Sequence, residues 1–285
     1  MLAFVAIERP LMKREVLVLT ALLLAGCSGK PDDPRPVVAT TTSYLECAVA
    51  DLSGERFRVA RLLPPGCCPG HFDVSPAMLD KLAAAKLLLR FEFQSALDEK
   101  LHHFRDNGLE VVAVASPEGL CVPATYVDIC RGVCKALCDA CPERAAEYRN
   151  RLTEIGDRMA ALASEVRATV RKEKLAGARV LASGHQAQFA RALGLDVVAT
   201  FTGRAAAGFK ELETCIRAGK DAKIRFVVAN LQEGVQLADP VAHRLGAKVV
   251  VFSNFPSMAS DETTFDALVR HNVAALLKAA EGANP

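Results

Sequence analysis

Apolar residues fall along this chain in short runs, separated by turn residues and by stretches of helical period. Val37–Thr41, Phe57–Leu62, Leu87–Phe91 and Glu110–Val114 are β-rich runs that predict strands. Helical spacing lies between them at Tyr44–Leu52, Pro76–Ala85 and Ser95–Phe104. A second series follows at Arg179–Ala182, Asp196–Thr200, Ile224–Asn230 and Lys248–Phe252, again with helical stretches between. Strands alternating with helices predict parallel sheets, and four strands followed by four more predict two lobes.

The stretch from Pro142 to Leu175 separates the two series. Tyr148, Leu152, Ile155, Met159, Leu162 and Val166 recur there at alternating steps of four and three, so they share one helical face. Pro142 suits the first turn of a helix and separates this helix from the one before it. At full length the helix would run about 50 Å. A stiff spine between lobes is the favoured reading, with a coiled-coil segment as the alternative. The expected fold is therefore α/β, with two lobes, each a four-stranded parallel sheet flanked by helices, joined by one long rigid helix. The expected boundaries are 37–141 for the first lobe, 142–175 for the connecting helix and 176–285 for the second lobe.

Ahead of the lobes, Arg9, Lys13 and Arg14 precede the apolar run Val16–Leu24 and then Leu24-Ala25-Gly26-Cys27. The run is too short to cross a bilayer, which takes about 20 apolar residues. A basic start, a short apolar core and small residues describe an export signal. Small residues leading into a cysteine look like a bacterial lipobox, with residues 1–26 removed and Cys27 lipidated; an ordinary signal peptide with an incidental cysteine is the alternative. Met12 alone begins a compact signal and is a candidate start. The polar, proline-rich stretch that follows, within 27–36, suits a tether. The expected location is extracytoplasmic, held to the membrane through the lipid.

The net charge of +2 leaves no electrostatic footprint for nucleic acid. The ten cysteines alter the picture more. Setting Cys27 aside leaves an odd number, so at least one is outside any intramolecular disulfide, which sits awkwardly with an oxidising envelope. Cys130, Cys134 and Cys138 are four apart on an expected helix, with Cys141 three further on, so they share a face. That face is either core, with cysteine as a small hydrophobe, or a second soft-metal or redox site.

Open parallel sheets bind ligands beyond the carboxyl ends of their strands. After Phe57–Leu62 the chain reads Pro64-Pro65-Gly66-Cys67-Cys68-Pro69-Gly70-His71; after Glu110–Val114, Ser116-Pro117-Glu118-Gly119-Leu120-Cys121; after Arg179–Ala182, Ser183-Gly184-His185-Gln186; and after Lys248–Phe252, Ser253-Asn254. Four of the six histidines lie on expected helices, whereas His71 and His185 stand alone in strand-end loops. Two imidazoles and a cysteine sulfur make a borderline-soft set suited to zinc. A surface or hydrogen-bonded role for each histidine is the competing reading.

"VVATTTSYLECAVADLSGE…VARLLPPG", followed by His71, Phe72, Asp73 and Pro76, resembles the zinc- and manganese-binding proteins of ABC importers. "VVANLQEGVQLADPVAHRLGAKVVVF" resembles that family's late strand-helix-strand unit, and the resemblance runs from Val37 to Glu281. It implies capture of a metal ion without catalysis, zinc before manganese, delivery to a permease, and a monomeric protein. Position by position, it maps the first ligand onto His71 and the third onto His185, with Phe189 and Gly194-Leu195 behind it. The second ligand position, ahead of the helix-opening Pro123, holds Cys121, with Glu118 the other candidate. The fourth, an aspartate in the family, reads Ser253 or Asn254. Neither is a strong ligand, so three protein ligands plus water, or recruitment of Cys68 or Glu233, remain open. Two further readings also stay open. One is a zinc-dependent hydrolase with Glu118 or Glu233 as base; the other is a binding protein or adhesin of the same architecture that has lost its metal.

Overall fold

In the computed structural model, which describes residues 35–64, 75–202, 209–257 and 263–281, eight strands pair wholly in parallel. The first sheet joins β1 (Val37–Thr40), β2 (Arg58–Arg61), β3 (Ala85–Phe91) and β4 (Glu110–Val114) in the order β2-β1-β3-β4. The second joins β5 (Arg179–Ser183), β6 (Asp196–Phe201), β7 (Phe226–Asn230) and β8 (Lys248–Phe252) in the equivalent order β6-β5-β7-β8. Val38 lies between Val59 and Leu87, and Val180 between Val197 and Phe226. β1 and β7 are buried along their whole length, as expected of strands covered on both faces.

The helices start where their sequences allow. α1 (Ser43–Ser53) is capped by Thr42, whose hydroxyl accepts from the Leu45 amide at 3.4 Å. α2 (Pro76–Ala83) opens with a proline, whose missing N–H costs nothing in a first turn. The helix expected over Ser95–Phe104 is instead a 3-10 run, Glu92–Lys100, followed by the short α3 (His102–Asp106). Gln94 is the cause. Its Oε1 accepts from the Phe91 amide at 2.9 Å and from Thr41 Oγ1 at 2.7 Å, which ties the first turn back to the sheet. α4 (Pro123–Ala140) again opens with proline.

The long helix is shorter than its sequence suggests. Pro142–Arg144 forms a 3-10 turn, and α5 (Ala145–Lys172) spans 28 residues, about 42 Å. Lys174, at φ 56°, turns the chain out of the helix. Tyr148, Ile155, Met159, Leu162 and Val166 are buried as the periodicity requires. In the second lobe, α6 (Gly184–Ala192), α7 (Phe209–Ala222) and α8 (Ala238–Leu245) alternate with the strands, and α9 (Phe265–Glu281) closes the fold. α5 packs on α4, α1 and α9, so one helix touches both halves.

The core does not divide between the lobes. A single cluster runs from Val38 and Leu89 through Tyr126, Met159 and Val166 to Val180, Phe226 and Phe252. Tyr126 of α4 stacks on Phe265 of α9 with ring centroids 4.0 Å apart. Arg158 of α5 bridges Asp51 of α1 and Asp266 of α9. Smaller clusters cover the other face of each sheet.

Candidate metal centre

The carboxyl ends of both sheets open onto one cleft of about 670 Å³. The first sheet contributes Phe93 beyond β3 and the loop Ser116–Leu120 beyond β4. The second contributes Gly184 and His185 beyond β5, Thr200 to Thr202 at the end of β6, Gln232 and Glu233 beyond β7, and Asn254 and Phe255 beyond β8.

Glu233 is the most constrained of these. It ends a 3-10 turn, Leu231–Glu233, and the next residue, Gly234, has φ +82°. That backbone conformation is one L side chains rarely adopt, so glycine lets the chain turn there. The Glu233 side chain is 7% exposed, Ser183 Oγ donates to its Oε2 at 2.6 Å, and His185 Nε2 lies 3.6 Å from its Oε1. Among the described residues no lysine or arginine pairs with it. A carboxylate so sheltered from water needs compensating partners, and the Ser183 hydroxyl and the His185 ring are the two beside it. His185 itself is 66% exposed at the start of α6, with its ring facing the open cleft.

Glu118 lines the same cleft from the first lobe. Gly119 beside it has φ +78°, and a Cβ there would sit 2.8 Å from Gln188 Cβ of α6. Glycine therefore lets the first-lobe loop abut the second lobe, where Gln188 Nε2 donates to Glu118 Oε2 at 3.3 Å.

Cys121 follows the same loop, two residues before Pro123. It is fully buried and outside the cleft lining. Its thiol donates to the Ser253 carbonyl at 2.9 Å and lies 3.4 Å from Asn254 Oδ1, while Asn272 Nδ2 approaches the sulfur at 3.5 Å. Burial pushes this thiol well above the ordinary range, so it is held neutral. Spacing alone does not reveal this inward placement.

The two residues standing where the resemblance leads one to expect an aspartate are also occupied. Ser253 Oγ accepts from Gln232 Nε2 and the Phe255 amide, and donates to the Phe255 carbonyl. Asn254 Oδ1 accepts from Gln186 Nε2 at 2.9 Å as well as from Cys121. Gln186 also donates to Asn230. These amides form a polar layer beneath the cleft; polar residues at the ends of apolar strands are its only sequence signal. His71, Cys68 and Cys27 lie outside the described residues. Among the described residues, no three histidine, cysteine, aspartate or glutamate side chains are grouped so as to hold an ion. The structure brings His185 and Glu233 together, with Glu118 in the same cleft.

No curated protein sequence matches the chain. Among solved structures, a ZnuA crystal structure superposes with a TM-score of 0.69 at 15% identity, covering 86% of this chain and 98% of that one. A manganese-bound periplasmic metal-binding protein from Candidatus Liberibacter asiaticus gives 0.69 at 17% identity, with 86% and 99% covered. The periplasmic zinc-binding protein TroA from Treponema pallidum gives the same TM-score, identity and coverage. Identities this low establish the shared fold alone. The sequence profile described as zinc-uptake complex component A, periplasmic, goes further, because it matches residues 38–279, both sheets included. The chain belongs to this ZnuA family.

Proposed function

We propose that the chain captures a transition metal ion, zinc first, in the cleft between its lobes and delivers it to the permease of an ABC importer. The carrying observation is the Glu233–His185 pair, a sheltered carboxylate that no lysine or arginine among the described residues pairs with, beside an exposed imidazole. A bound cation supplies the missing charge. In this reading His71 adds the first-lobe imidazole, with Glu118 or Cys68 completing the set. Cys121, Ser253 and Asn254 shape the floor beneath the ion and do not touch it. Imidazole with carboxylate suits zinc. The carboxylate keeps manganese, which favours oxygen ligands, as second cargo, and a related structure is manganese-bound.

The export signal and lipobox support attachment to the membrane through Cys27. No helix among the described residues is long and apolar enough to cross a bilayer. Membership of an uptake family favours carriage over hydrolysis. Calorimetric titration of metal-free protein with zinc, checked by elemental analysis, tests the proposal. One ion per chain is expected, with binding weakened in both His71→Ala and His185→Ala. Parental affinity in both variants would remove the cleft as the site.

A further inference from the structure

A second group of sulfur lies at the far end of α4, over ten residues along the helix from the cleft. Cys134 and Cys138 are one turn apart, and their sulfurs are 4.0 Å from each other. Two sulfurs at that separation subtend an angle of about 120° at an atom about 2.3 Å from each, a normal metal–thiolate length. They are therefore already placed to chelate a soft ion without movement of the helix. Cys141 follows at the end of the helix, and beside it is the Tyr148 hydroxyl, which is buried and makes no hydrogen bond of normal geometry. Cys138 and Cys141 are only partly buried, so solvent reaches this end of the group.

We propose that Cys134 and Cys138 form a binding site for a soft monovalent metal ion such as Cu(I), separate from the cleft. Thiolate pairs select soft cations, and such ions accept two or three ligands; at about 120° the pair supplies two of three and leaves the third position open. Two thiolates with a monocation carry a net negative charge, which Arg149 beside Cys134 favours; beside Cys141, Glu143 opposes that charge and outweighs Arg144. The choice of ion therefore rests on the softness of sulfur. When empty, Cys134 is held protonated, because burial first and then the neighbouring sulfur raise its thiol to about 11. Loading then releases protons, as metal binding to thiols does.

The test is anaerobic titration of the full chain with Cu(I) against a competing chelator. The parent should bind one Cu(I) more than the Cys134→Ser/Cys138→Ser double variant, and His185→Ala should keep that ion. In the unmutated protein, one equivalent of Cu(I) should slow alkylation of Cys138 at least ten-fold, read by peptide mass spectrometry, which covers the case of a double variant that folds poorly. Equal stoichiometry in parent and well-folded double variant, alkylation of Cys138 unaffected by Cu(I), or isolation of the pair as a disulfide that binds no Cu(I) would each overturn the proposal.

Discussion

Glu233 shows how a single side chain sets the chemistry of the cleft. Its carboxylate is fixed from below by Ser183, and its turn is fixed by Gly234, so in the proposed site it would meet a cation already ordered. Preorganised ligands lose little freedom on binding. Glu233→Gln keeps the shape and removes the charge, and should weaken zinc binding about ten-fold or more, roughly 1.4 kcal/mol. Cys121→Ser provides the opposite case. A serine hydroxyl still donates to the Ser253 carbonyl, so zinc affinity should stay within about three-fold of the parent by calorimetry. A ten-fold loss there would return Cys121 to the ligand set. His185 was legible in the sequence as a lone histidine after a strand, and the structure places it in the cleft. The pairing of Glu233 with Ser183 was not legible, because it links positions 50 residues apart. The inward turn of Cys121 depends on how α4 is rotated against the second lobe, which no local pattern records.

At the scale of elements, α5 works as a strut whose polar edge is as important as its apolar face. Arg158 serves two carboxylates, Asp51 and Asp266, on helices from opposite lobes. Burial first, and then the neighbouring Asp51, raise Asp266 above the ordinary aspartate range, only partly offset by Arg158 and Arg270. The folded chain therefore holds this proton more tightly than the unfolded chain does. Its contribution to stability is greatest below the ordinary aspartate range and declines as pH rises through the raised value. Asp266→Asn should flatten that decline in a series of melting temperatures across the acid range; an unchanged slope would contradict it. Helix and strand positions came largely from periodicity, with β4 and β8 matching their expected limits. The failure over Ser95–Phe104 came from Gln94, whose amide bonds the sheet rather than its own helix. Propensity cannot anticipate a tertiary hydrogen bond.

At the scale of the molecule, the continuous core constrains how the protein handles its cargo. Aromatic stacking of Tyr126 on Phe265, together with buried residues running from Val38 to Phe252, ties the lobes at the back of the cleft. Wide hinge opening would expose that apolar surface, at about 25 cal/mol per Å². Capture and release should then involve the loops around the cleft, with little change in overall dimensions. Small-angle scattering of metal-free and zinc-loaded protein should give radii of gyration within about 1 Å of each other, against an expected value near 19 Å for a chain of this length. A difference of several ångströms would indicate a hinge that this core does not allow. The two-sheet plan was readable because strands and helices alternate so regularly. The shared core was not, since burial between distant segments leaves no periodic trace beyond that of each segment.

The most direct test of the account is an anomalous difference map at the zinc edge, from a crystal grown with one equivalent of zinc. A single strong peak is expected in the cleft, about 2.0–2.2 Å from His185 Nε2 and from a carboxylate oxygen of Glu233. A cleft without a peak, or zinc bound there with Glu233 still turned only toward Ser183, would contradict it.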